Sequence, residues 1–150
     1  MKVWRICREE YANLSGIGAS LYGGQWNSQG HPAIYTASTL SLAFLEILPS
    51  LRKSGILKRY VSLEIMILEQ ATKEEIFLED YPFGWREGKG TQWFAQQGDR
   101  WIKSKQSLLL MVPSVIIPNE YNIIINPEHP GIAEVKIIQT SPFHIDKRLI

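Results

Sequence analysis

An α+β fold, a mixed sheet core with a few covering helices, is predicted by three features of this sequence. Apolar, β-branched runs punctuated by Pro and Asn fill residues 107–118, 121–126 and 134–139. Residues 59–67 alternate Val61, Leu63, Ile65 and Ile67 with Ser62, Glu64 and Met66, the period-two pattern of a half-buried strand. One segment, ending at Leu48, is apolar at helical spacing. Strands therefore dominate, and one or two helices cover them.

The remaining elements follow along the chain. Residues 2–8, KVWRICR, read as a first strand carrying Trp4 and Arg5. Residues 15–30 are rich in Gly, Ser and Asn and read as loop. PAIYTA, 32–37, is a short strand that runs into a helix capped by Thr36 or Ser38. That helix is expected to stop at Leu48, before Pro49. Residues 80–105 hold Trp85, Trp93, Trp101, glycines and mixed charges, and are expected to form loops with a short helix. No internal repeat or low-complexity segment interrupts the chain.

At 150 residues and 17.2 kDa the chain is read as a single domain, residues 1–150. A chain of this length buries roughly 68–70% of the surface its unfolded form exposes, enough for an independent core. A net charge of +1, with no basic run beyond pairs such as Arg52-Lys53, argues against direct nucleic-acid binding. A single cysteine, Cys7, rules out an internal disulfide framework and a cysteine-based zinc cluster. His31, His129 and His144 lack ligand spacing, so no metal is expected. No apolar run approaches the ~20 residues needed to span a bilayer, and no signal core opens the chain, so the cytoplasm is the expected location.

Several residues carry chemistry that the core does not need. Glu46 lies in a helix that is apolar nearly all round, with Leu42, Ala43, Phe44, Leu45, Ile47 and Leu48 beside it. A carboxylate there is either on a narrow wet edge, paired with a cation, or part of a site. Arg5 is a structural ion-pair partner or an anion clamp. Ser114, in VPSVIIP, reads as a turn residue, since no nucleophile elbow surrounds it. Tyr35 is core or pocket wall, with a hydroxyl that needs a partner if buried. Gly16-Ile-Gly18 lacks the third glycine and the βαβ setting of a dinucleotide fingerprint.

Taken in order, the segments WRICREEYA (4–12), LSGIGASLYGGQWNSQGHPAIYTASTLSLAFLEIL (14–48), GDRW (98–101), VPSVIIPNEYNIIINPEHP (112–130) and FHIDKRL (143–149) resemble the RES-domain family. These are the toxin halves of bacterial RES–Xre toxin–antitoxin pairs, named for an Arg, a Glu and a Ser. The resemblance spans nearly the whole chain and is weakest between 50 and 90. It implies an ADP-ribosyltransferase-like fold with a cleft for NAD⁺. It also implies consumption of NAD⁺, by cleavage with water or phosphate or by transfer of ADP-ribose to a protein, and a separate Xre-like antitoxin that blocks the cleft.

By position, Arg5, Tyr35, Glu46 and Ser114 match the family's active-site residues. The resemblance implies that Arg5 holds the pyrophosphate and Tyr35 walls the nicotinamide. Glu46 then stabilises the transition state and Ser114 positions the ribose or carboxamide. Gly23 and Gly24 allow close backbone approach, and Asn126 joins them among the substrate-binding residues. Gln25 departs from the pattern, because the family usually has arginine there. Three readings stay open for Gln25: weaker NAD⁺ binding, compensation by a nearby cation such as Arg8, or an attenuated domain that binds antitoxin or nucleotide without turnover.

Overall fold

The computed structural model describes residues 1–54 and 59–150. Seven strands, β1 (Lys2–Arg8), β2 (Ile34–Ala37), β3 (Tyr60–Met66), β4 (Lys73–Glu75), β5 (Leu109–Pro113), β6 (Tyr121–Ile125) and β7 (Lys136–Pro142), form one sheet in the order β4-β5-β6-β2-β1-β3-β7. Only the β4–β5 pairing among them is parallel. Among the described residues three α-helices accompany the sheet: α1 (Ile17–Tyr22), α2 (Leu40–Ser54) and α3 (Thr91–Ser104). The single-domain α+β architecture with a mixed sheet is the one the sequence predicts.

Side-chain alternation sorts the core into two faces. Val3, Cys7, Ile34, Leu63, Ile65, Ile123 and Ile125 point to one face and pack together. Their neighbours Ile6 and Ala37 point to the other, where Leu42 and Ala43 of α2 cover them. Leu110, Val112 and Ile124 share that second face and meet Phe94, Trp101 and Ile102 of α3. Strands β5 and β6 are therefore apolar on both sides, which is why LLMVP and YNIII read as near-continuous apolar runs.

Four local features differ from the sequence expectations. Helix α2 runs through Pro49 to Ser54 instead of ending at Leu48. Pro49 removes one backbone donor, but Leu51 beyond it is buried, and the Arg52 guanidinium donates to the Leu149 carbonyl at 3.1 and 3.3 Å. The cap of α2 is Thr39, whose Oγ1 accepts from Leu42 N at 3.1 Å, while Thr36 donates to Ile123 O within the sheet. The Gly-rich stretch after Ser15 contains α1, bracketed and not broken by Gly16 (φ 70°) and Gly23 (φ 74°). Helix α3 occupies 14 residues of the stretch expected to be mainly loop. Its buried stripe of Phe94, Gly98, Trp101 and Ile102 is helical in spacing but narrow. Gly98 is obligatory there, since a Cβ would stand 1.6 Å from the Trp26 carbonyl oxygen.

Candidate active site

The site begins where the sheet comes apart. Strands β1 and β2 are neighbours, yet they register at a single pair, Trp4↔Ala37. Beyond that pair the two strands diverge, and a cleft of about 760 Å³ opens in the fork. Arg5 reaches across at the parting point: its Nη1 donates to the Tyr35 carbonyl at 3.1 Å, while its Nε is buried without a partner. The cleft is lined by β1 residues Arg5, Ile6 and Arg8, by the glycine turn 23–25, and by Tyr35. From α2, Glu46, Ser50 and Lys53 line it at helical spacing.

The glycine turn is a pocket wall built from within. Gly24 N donates to Asn27 O at 3.0 Å, closing the turn. The Tyr35 hydroxyl accepts from Trp26 N at 2.8 Å and donates to Asn27 Oδ1 at 2.7 Å. The Asn27 amide then ties Ala19 O and His31 O at 2.8 Å each. A Cβ on Gly24 would lie 2.8 Å from the Tyr35 oxygen, so only glycine lets the turn sit this close. Burial pushes the Tyr35 phenol well above the ordinary tyrosine value, despite the Trp26 N–H working the other way. Behind the turn, the Trp26 ring stands edge-on to Phe94 at 5.0 Å, and Tyr81 adds a further ring at 5.9 Å. Gln25 lines the cleft with an exposed, uncharged side chain.

Glu46 is held by one oxygen. Ser114 Oγ donates to Oε1 at 2.6 Å and Asn122 Nδ2 donates to the same atom at 3.0 Å. Among the described residues, no hydrogen bond is donated to Oε2. Ser114, fully buried just past β5, also accepts from the amides of Ile116 and Ile117 at 3.0 Å each. It is thus both the turn residue its context suggests and the anchor of the carboxylate. Among the described residues it lines neither the cleft nor the smaller cavity beside it, and its side chain donates to Glu46. That inner cavity, about 90 Å³, is walled by Trp4, Arg5, Tyr35, Glu46 and Asn122 among others.

Asn126 stands apart from this group. It is fully buried, with its amide donating to Ile102 O and its Oδ1 accepting from Glu128 N, both at 3.0 Å. These bonds tie α3 to the end of β6, and the asparagine that lines the inner cavity is Asn122, within β6. The signal for Asn122 was a polar residue in an otherwise apolar strand. Tyr81 was also missed: its hydroxyl donates to the Pro113 carbonyl, and burial together with the charge of Glu46 holds its proton tightly.

The family model described as "RES domain" matches residues 2–146. The chain belongs to the RES-domain family. A Yersinia enterocolitica protein named "Toxin Res" is 36% identical over 152 residues, covering 99% of each chain. The "Prs ADP-ribosylating toxin" of a Sphingobium species is also 36% identical, over 98% of this chain and 95% of its own. Among solved structures, a chain of the M. tuberculosis MbcT–MbcA toxin–antitoxin complex superposes with a TM-score of 0.76. It covers 95% of this chain and 83% of its own at 17% identity, a likeness of fold. In this RES domain Arg5 and Glu46 both line the cleft, and Ser114 holds Glu46 by its Oε1.

Proposed function

We propose that this RES domain is the NAD⁺-consuming toxin of a toxin–antitoxin pair, breaking the bond between nicotinamide and ribose with water or phosphate as acceptor. The observation that carries the reading is Glu46: a carboxylate fixed through Oε1, with Oε2 left for a ligand, in a cleft large enough for a dinucleotide. The residues present suit that ligand. Arg5 Nε is a buried donor awaiting an acceptor, and Gly24 leaves room where a Cβ would clash.

The chemistry needs little more. Nicotinamide leaves NAD⁺ as a neutral molecule from a cationic linkage, so no acid is required to protonate it. One carboxylate then suffices where an ordinary glycosidase uses two. Glu46, held rigidly by Ser114 and Asn122, stabilises positive charge as it develops on the ribose. Tyr35 and the glycine turn form the wall beside it.

Transfer of ADP-ribose to a protein is the second reading, and the relative named as an ADP-ribosylating toxin favours it. It uses the same pocket with a different acceptor. Incubation with NAD⁺, with and without phosphate, and chromatography of free nicotinamide test both, with Glu46→Gln as control. Release that needs Glu46 supports cleavage, and ADP-ribose attached to an added cell-extract protein supports transfer. No consumption of NAD⁺ under either condition would sink the proposal. The antitoxin partner, an Xre-like protein, is proposed on the family likeness and on the solved complex of a fold neighbour. Among the described residues no helix is long and apolar enough to cross a membrane.

A further inference from the structure

Two buried polar side-chain atoms lack a hydrogen-bond partner among the described residues: Arg5 Nε and Asn122 Oδ1. One is a donor and the other an acceptor, and both residues line the inner cavity beside Glu46. Buried polar atoms are almost always paired, so a complementary pair of orphans on one small cavity calls for a cause. The Asn122 amide cannot cure its orphan by turning over. Its Nδ2 donates to Glu46 Oε1, and an ionised carboxylate only accepts, so a flip would set oxygen against oxygen. The nearby Thr36 hydroxyl is already spent on Ile123 O at 2.6 Å. Of the other walls, Ile6, Ala37, Ala43 and Ile47 are apolar and offer neither orphan a partner, and the Trp4 indole N–H does not bond to Asn122 Oδ1.

We infer that Asn122 is a substrate-contacting residue: Oδ1 accepts a hydrogen bond from the nicotinamide–ribose half of NAD⁺ while Nδ2 holds Glu46. This rests on the NAD⁺ reading above. The group that fits must donate to Oδ1 and accept from Arg5 Nε. The 2-hydroxyl of the nicotinamide ribose does both, and so does the nicotinamide primary amide. Asn122 then couples the ligand to the carboxylate, because one side chain orients both.

Binding is measured by calorimetry on the Glu46→Gln protein, in which turnover is blocked and position 46 still accepts from Asn122. The ligands are NAD⁺, an analogue lacking the 2-hydroxyl of the nicotinamide ribose, and an analogue with the carboxamide NH₂ replaced by methyl. Loss of the contacting donor leaves Oδ1 orphaned again, so one of the two edits is expected to weaken binding roughly five- to hundredfold. Which edit does so names the group. The same edit on Glu46→Gln/Asn122→Ala is expected to cost less than about threefold, since the acceptor is gone. If NAD⁺ binds but neither edit matters, or if the edit costs the same with and without Asn122, the contact does not exist. The two edits on the Asn122-containing protein decide this even if the double variant fails to fold. Absence of NAD⁺ binding to every variant overturns the functional reading along with this one, a result distinct from binding that ignores Asn122.

Discussion

Deleting the Ser114 hydroxyl tests whether the carboxylate is anchored as described. Ser114→Ala removes the 2.6 Å bond to Glu46 Oε1 and leaves the Ile116 and Ile117 amides without their acceptor. A hydrogen bond to a charged group contributes about 1.5–3 kcal/mol, and each stranded amide adds to that. Water that reaches the loop offsets part of the loss, so a destabilisation of about 3 kcal/mol is expected. For a domain of this size that lowers Tm by roughly 6–12 °C. Chemical denaturation of wild type, Ser114→Ala, Glu46→Ala and the double variant isolates the carboxylate's share, with a coupling of at least about 1 kcal/mol expected. Nicotinamide release by Ser114→Ala is expected to fall as well, because Asn122 alone then positions Glu46. If Ser114→Ala costs the same with and without Glu46, the anchoring argument is refuted and Ser114 is only a turn residue.

Gln25→Arg places a cation on the cleft wall, and NAD⁺ binding, read on the Glu46→Gln protein, is expected to tighten roughly ten- to hundredfold. Arg8 lines the same cleft, with its guanidinium 5.9 Å from the Tyr22 ring centre, and Arg8→Gln is expected to weaken binding by a similar factor. Unchanged affinity in both would mean that neither position meets the diphosphate. The folded protein binds the Tyr35 and Tyr81 protons more tightly than the unfolded chain does. Stability is therefore expected to be full below about pH 10 and to fall as pH rises above it, by up to ~1.4 kcal/mol per pH unit for each phenol. Denaturant titrations should show a shallower alkaline loss in Tyr35→Phe, and an identical slope would contradict the assignment. Gly98→Ala pushes a methyl into the Trp26 carbonyl and is expected to cost about 3 kcal/mol or more, measured by thermal unfolding. A near-neutral result would show that α3 can move off the glycine turn freely.

Some of this was legible because local pattern and tertiary setting agreed. Strand β3 alternates in sequence and in burial, and β5 and β6 read as apolar because both faces are covered. Glu46 was conspicuous because its helix had no ordinary use for a charge. The misreadings share a cause: long-range contacts overrode local preference. Pro49 stays helical because Leu51 has a core to enter. Gly98 sits mid-helix because a carbonyl on a distant turn needs the space. Gly16 and Gly23 terminate a helix that their density seemed to forbid. Asn126 and Asn122 are both strand-associated asparagines, and only the fold shows that one faces α3 and the other Glu46.

The single-pair junction of β1 and β2 has a mechanical consequence. It is a seam: β4-β5-β6-β2 lie on one side and β1-β3-β7 on the other, with α2 packed against strands from both. Arg5 belongs to one side of the seam, Tyr35 and Asn122 to the other, and Glu46 to the helix above it. On the NAD⁺ reading proposed above, a ligand gripped by all of them would be a rivet through that seam. Occupancy at a hundred times the dissociation constant adds about 2.7 kcal/mol to the stability of the whole sheet. The same rivet is expected to slow amide exchange along both strand edges, which hydrogen-exchange measurements with and without NAD⁺ would check. If the proposed NAD⁺ consumption holds, such a toxin would be sturdier while its substrate lasts and would loosen as it depletes the pool.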